Sequence, residues 1–313
     1  MDIKLNVQSS PHVRDSVSTS SIMLDVIISM LPATAWGILR FGLNAALVVI
    51  VSIVVAVLSE TIFNIIIKKP NTISDLSCVV TGLILGLNMP PNVPLFIPVV
   101  GSVFAIVIVK MLFGGLGQNF MNPALAGRCF CVISFASYMN NFQSTMSVDT
   151  FTSATPLIVL KNGQEVDLLK MFFGYIPGTI GEISTICLLL GAIYLIVKKV
   201  IDLRIPLVYI FTFVIFIMLF SKGNTTNVNY IMGEVLGGGL IFGAFYMATD
   251  YVTAPITPLG KVLYGIVLGV LTGLFRIYGK SGESVSFVIL MSNLLVPLIE
   301  SITMPAAFGK DGK

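Results

Sequence analysis

The sequence of 313 residues predicts an all-α integral membrane protein. Hydrophobic residues make up 56% of it and charged ones only 11%, with a mean hydropathy of +0.97, which excludes a water-soluble domain. The apolar runs are long, and none shows the period-2 alternation of a membrane β-barrel. Backbone amides in hydrocarbon must be satisfied within the element that carries them, so these runs are expected to span as helices.

Ten runs are legible, at 22–39, 43–66, 76–90, 94–112, 123–137, 180–197, 205–221, 231–248, 262–278 and 284–303. Ahead of them, residues 1–21 carry Lys4, His12, Arg14 and Asp15 among serines, with no apolar core of the kind a secretory signal needs. This leader is expected to stay in the cytoplasm. The first five runs fill 22–137, a polar connection follows at 138–178, the second five fill 179–303, and 304–313 form a tail.

Orientation follows from Lys and Arg in the short connections. With a cytoplasmic N-terminus, that side holds Lys4, Arg14, Lys68, Lys69, Lys110, Arg128, Lys198, Lys199, Arg204, Lys261, Lys310 and Lys313. The other side holds Arg40, Lys161, Lys170, Lys222, Arg276 and Lys280, so the split is 12 to 6 and both termini are expected in the cytoplasm. The formal net charge of +3 adds little, and no basic run points to nucleic acid.

The chain reads as doubled. Gly82-Leu83-Ile84-Leu85-Gly86 and Gly239-Leu240-Ile241-Phe242-Gly243 fall in the third and eighth runs, five helices apart. Each is followed by an interruption, Asn88-Met89-Pro90-Pro91 in one and Ala248-Thr249-Asp250 in the other. Five is odd, so the halves are expected as inverted repeats, an arrangement in which broken helices mark a site near the midplane. Close packing of small residues explains the glycines equally well taken alone.

Cys78, Cys129, Cys131 and Cys187 are scattered over three runs at spacings that fit neither a cluster nor disulfides within helices. His12 is the single histidine, which removes histidine-based metal sites and general bases. Among the acids in or beside the runs, Asp25, Glu60, Glu182, Glu234, Asp250 and Glu300, ion pairs or snorkelling account for most. Asp25 and Asp250, the latter beside a helix break, are the candidates for an ion pathway. In Gly114 to Phe130, Asn119 and Asn122 separate the fourth and fifth runs, where buried amides either cap broken helices or bind a polar ligand.

The polar connection contains Asp149-Thr150-Phe151-Thr152-Ser153-Ala154-Thr155, four hydroxyls and an acid in seven positions. The spacing D-x-x-[ST]-[GS]-A-T resembles the flavinylation signal of the membrane subunits shared by the Rnf complexes and the sodium-pumping NADH:quinone oxidoreductases, the NqrB/RnfD family. With Gly114 to Gly117, Asn119 to Arg128 and Met247 to Asp250, the resemblance covers about residues 20–303, and it is stronger to the ferredoxin-linked branch than to the quinone-linked one, whose members carry a longer N-terminal region. Ser153 stands where glycine is common.

The resemblance implies that Thr155 holds FMN through a phosphoester, installed by a separate flavin transferase from FAD, with Asp149, Thr152, Ser153 and Ala154 as the recognised motif. It also implies a non-covalent riboflavin, to which Asn119 and Asn122 correspond, and a place beside subunits A, B, C, E and G in a bacterial or archaeal cell (inner) membrane. The implied function is electron relay between reduced ferredoxin and NAD+ coupled to export of Na+ or H+. Moving one charge against about 100 mV costs about 2.3 kcal/mol, within reach of a potential drop of roughly 100 mV. The chain shows no G-x-G-x-x-G after a strand, so no complete catalytic site is expected on it alone. An NqrB-like quinone-linked subunit, a cofactor-free inverted-repeat transporter or channel, and a structural anchor are the rival readings.

Overall fold

Ser18 starts the first helix by a reciprocal cap, its hydroxyl accepting from the Ser21 amide at 3.2 Å while the Ser18 amide donates to Ser21 Oγ at 3.0 Å. The computed structural model describes residues 18–142, 155–221, 227–279 and 284–305. Helix α1 (Thr19–Phe41) turns into α2 (Leu43–Ile67) through Gly42 alone, whose φ of 81° suits a residue without Cβ. Asp75 accepts from the Ser77 amide and opens α3 (Ser77–Leu87), and α4 (Phe96–Val103) runs on as π-helix over Phe104–Met111. Three glycines with φ near 100° (Gly114, Gly115 and Gly117) then reverse the chain toward α5 (Pro123–Ser134), which is followed by the short α6 (Ala136–Met139).

The connection to the second half holds two more short helices, α7 (Pro156–Lys161) and α8 (Leu168–Phe173). Then come α9 (Thr185–Val197), α10 (Arg204–Phe220), α11 (Val228–Leu236), α12 (Leu240–Phe242) with a π-helical continuation over Gly243–Met247, α13 (Pro258–Tyr278) and α14 (Val285–Thr303). No strand occurs among the described residues.

Each of the ten apolar runs holds helix, but at unequal lengths. Only α1, α2, α13 and α14 are long and apolar enough to cross a bilayer unaided, and α11 with the α12 stretch forms a fifth candidate bent by 54°. The other runs contain helices of 10–17 residues. Leu39, Leu43, Ile65, Ile133, Val197, Phe211 and Ile302 point outward, while Glu60, Lys110, Arg128, Glu234 and Arg276 are buried. This is the inverse of a water-soluble domain, and the protein is a multi-pass membrane protein. The burial of Lys110, Arg128 and Arg276 also corrects their use as loop charges, though the bias among the remaining basic residues keeps its direction.

Small residues let the helices approach. A Cβ on Gly82 would lie 2.7 Å from Ile53 Cα, so α2 and α3 touch backbone to backbone. Gly265, Gly269 and Gly273 of α13 face Val208, Thr212 and Phe216 of α10 at a spacing of four residues. Across the halves, α1 packs on α9 and α5 on α14.

Both expected interruptions are present, and each exposes carbonyls that need donors. After α3, the amides of Ile180 and Gly181 donate to Met89 O (3.1 Å) and Leu87 O (2.8 Å), which explains why 178–184 is buried and why the sixth helix begins only at Thr185. The eighth run is broken a second time, before its glycine pair, at Gly237-Gly238-Gly239, where φ is +60° at Gly238 and +68° at Gly239. Arg276 closes this break. Its Nη2 donates to Gly237 O (2.9 Å) and Gly238 O (3.2 Å), and its Nη1 to the Glu234 carbonyl and to Glu234 Oε2 at 3.0 Å. Arg276→Met should therefore destabilise the protein by about 3–5 kcal/mol in detergent melts, the cost of an unpaired buried carboxylate. Arg276→Lys should recover little of it, because one ammonium does not reproduce the forked donors; a melt unchanged by either substitution would contradict the clamp.

Candidate functional site

One cavity lies at the turn after the α12 stretch and another beside the Gly237–Gly239 break. The larger sits where α1, α3 and the start of α5 meet the turn that follows the α12 stretch. Asn119, Asn122 and Asp250 all line it, together with Thr81, Ser77 and Lys110. In the sequence these three residues stand apart, and the fold brings them to one enclosed space.

Asn122 is a helix cap first. Its Oδ1 accepts from Ala124 N (3.1 Å) and Leu125 N (3.3 Å), and Pro123 at the first helical position needs no amide partner. Asn119 Nδ2 donates to Met121 O at 3.0 Å. Each amide is thus half used: Asn122 Nδ2 and Asn119 Oδ1 have no hydrogen-bond partner among the described residues, leaving one donor and one acceptor for a ligand. Across the cavity Asp250 accepts from Thr253 Oγ1 at 2.9 Å.

Asp250 also lines a second void, shared with Asp202, Tyr251 and Lys261, that adjoins the first. In the connection between α9 and α10, burial pushes the Asp202 carboxyl up, but the Arg204 amide and the Lys261 ammonium at 2.9 Å outweigh it and hold the group below its ordinary value. The stability this pair contributes is present above the ordinary aspartate pKa and is lost as pH falls through the lowered one.

Asp25 is not at the cavity. It accepts from Tyr194 OH at 2.7 Å and faces Lys198 at 3.9 Å, so it ties α1 to α9. Cys78, Cys129, Cys131 and Cys187 are free thiols.

The smaller cavity is lined by Thr155, Leu157, Gly178, Glu182, Leu236 and Gly238, directly beside the break clamped by Arg276. Thr155 is the N-cap residue of α7, and its carbonyl accepts from Ile158 N at 2.8 Å, while its side chain makes no capping bond. Rather than lying open on an extended loop, Thr155 is buried, at 9% exposure, against this cavity. Asp149, Thr152, Ser153 and Ala154 fall outside the described residues. Glu182 accepts from Thr179 N at 3.0 Å and shapes the wall opposite.

Sequence reasoning missed Lys110 and Ser77 on the larger cavity and Glu182 with Arg276 beside the smaller. The available signal was a basic residue at the very end of an apolar run, twice, with an acid within reach of it in the same half.

Comparison with known proteins matches residues 6–309 to the NQR2, RnfD, RnfE family. The D component of the Na(+)-translocating ferredoxin:NAD(+) oxidoreductase complex of Acetobacterium woodii is 44% identical over 98% of this chain and 96% of that protein. Its counterpart in the proton-translocating ferredoxin:NAD(+) oxidoreductase complex of Clostridium ljungdahlii is 40% identical over 97% and 96%. The D component of the ion-translocating oxidoreductase complex of Actinobacillus succinogenes is 33% identical over 97% and 98%. With nearly its whole length matched, the chain belongs to the NQR2, RnfD, RnfE family.

Proposed function

We propose that this chain is the D component of an ion-translocating ferredoxin:NAD+ oxidoreductase complex, relaying electrons between two flavin stations, one covalent and one not. The observation that carries the reading is that the Asn119–Asn122 pair lines a cavity at the turn after the α12 stretch and Thr155 lines one beside the Gly237–Gly239 break. Its setting is ten spans in two inverted halves, 22–137 and 179–303, with termini in the cytoplasm and 138–178 outside. Support comes from the first helices α1 and α9 and the last helices α5 and α14 of the halves meeting across the molecule, and from a break after α3 matched by one after the α12 stretch.

The Thr155 hydroxyl is the proposed attachment point of FMN. In the transferase reaction its oxygen forms a bond to the FMN phosphorus of FAD, the phosphoanhydride breaks, AMP leaves, and the hydroxyl proton passes to a base of the transferase. The 149–155 motif serves recognition. Leu157 and Leu236 supply apolar wall, and Gly238 lets a flat ring approach the backbone.

We place riboflavin at the larger cavity, whose lining is mainly apolar with a few convergent polar groups. Asn119 Oδ1 and Asn122 Nδ2 complement the adjacent N–H and C=O of a pyrimidine-type ring edge. Bound flavin supplies the one- and two-electron chemistry; the chain orients it, keeps water away and sets its electrostatics. Asp250, shared between the cavity and the outer void, is the candidate for ion handling, whereas Asp25 acts between helices. The relatives' names include both Na+ and protons. Subunits A, B, C, E and G and the flavin transferase are the proposed partners, in a bacterial or archaeal cell (inner) membrane.

Co-expressed with a flavin transferase, the wild-type chain should fluoresce under ultraviolet light in a denaturing gel, and Thr155→Ala should be dark. A fluorescent Thr155→Ala removes the covalent site. Asn122→Ser keeps a capping oxygen but loses the Nδ2 donor, so it should melt within about 1 kcal/mol of wild type and release far less flavin on acid extraction, with gel fluorescence intact. Undiminished extractable flavin contradicts the assignment of the asparagine pair.

A further inference from the structure

We propose that Lys110 is the cationic partner of the non-covalent flavin, set against the part of its ring system that becomes negative on reduction. The inference rests on reading the larger cavity as a flavin site.

Lys110 is 2% exposed, on the last π-helical turn before Met111. Its Nζ donates to Glu60 Oε2 at 2.7 Å and to Ser77 Oγ at 2.6 Å. An ammonium has three N–H groups, and the third has no acceptor among the described residues. Lys110 and Ser77 line the cavity; Glu60 does not. The carboxylate therefore stands behind the ammonium, where Thr72 Oγ1 also donates to it at 2.5 Å, and the charge presented to the ligand from this wall is positive. The acidic group lining the cavity is Asp250, on the turn after the α12 stretch.

Two-electron reduction of an isoalloxazine takes up two electrons, delivered here from reduced ferredoxin, a low-potential iron–sulfur protein. One proton binds N5, and a negative charge remains over the N1–C2=O edge. That edge adjoins the N3–H and C4=O pair assigned to Asn119 and Asn122. A fixed N–H donor carrying full charge, held in a site of low dielectric, favours the reduced form over the oxidised one. No bond to the protein forms, and Lys110 keeps its proton.

The second half repeats the device. Arg276 sits in the last turn of α13, the fourth helical element of its half, as Lys110 ends the fourth of the first half. Arg276 pairs with Glu234 at 3.0 Å and donates to Gly238 O, and Gly238 lines the Thr155 cavity. Each half thus ends its fourth helical element on a buried, acid-backed cation close to one of the two cavities.

The test is a redox titration of the non-covalent flavin in the purified complex, with the covalent FMN as internal reference. Removing Lys110 alone strands the Glu60 charge, so the informative variant is Lys110→Gln with Glu60→Gln. Its preference for reduced over oxidised flavin should fall about tenfold, a drop of about 30 mV in the two-electron potential. Lys110→Arg should hold the wild-type potential, and Glu60→Gln alone should raise it. A double variant that keeps its flavin at the wild-type potential overturns the proposal. Loss of flavin from the double variant supports the contact if Lys110→Arg retains it, and overturns it if Lys110→Arg loses it too. Wild-type complex that releases no flavin on acid extraction defeats the cavity reading itself, before any variant is made.

Discussion

A backbone in lipid has no water to fall back on, and every carbonyl freed by a broken helix must find a donor inside the protein. This constraint organises the molecule. The break after Leu87 is closed by the amides of Ile180 and Gly181, and the break at Gly237–Gly239 by the guanidinium of Arg276. Each closing group comes from elsewhere in the chain, so the breaks bind distant elements together as they are satisfied. Arg276 in turn needs Glu234, because a lone buried cation is far costlier than a pair.

Breaks of this kind are what make room for ligands. A continuous helix presents side chains; an interrupted one presents backbone and leaves space beside it. In the larger cavity the space is bounded by amides already half committed to capping α5, which fixes the orientation of the remaining donor and acceptor without cost in side-chain freedom. In the smaller one Gly178 and Gly238 leave the wall beside Thr155 without side chains. The same irregularities that weaken the helices thereby position the two proposed electron carriers, and the close packing of α10 on α13 and of α1 on α9 supplies the rigidity that the irregular parts lack.

Much of this is legible in the sequence. Apolar runs locate every long helical element, because hydropathy reports the bilayer directly, and Asn119, Asn122 and Asp250 stand out as polar residues at helix interruptions. The 149–155 motif singles out Thr155. What stays hidden depends on partners far along the chain. Lys110 and Arg276 end apolar runs and read as loop charges, yet their acids lie 50 and 42 residues away. Residues 180–184 read as the start of a helix, and it is the pairing of the Ile180 and Gly181 amides with Met89 and Leu87 that holds this stretch in turns. The early break at Gly237 is hidden as well, because three consecutive glycines are as compatible with tight helix packing as with a bend.

The central claim is that one chain supports two flavins held in different ways. Its most direct measurement is the flavin content of the complex purified from its native host, precipitated with acid and divided into protein-bound and soluble fractions, with the bound fraction mapped by mass spectrometry of the peptide containing Thr155. The account predicts FMN esterified to Thr155 in the pellet and riboflavin in the supernatant, in equal amounts per chain after correction for flavins of the other subunits. An unmodified Thr155 peptide, with no riboflavin released, would contradict it.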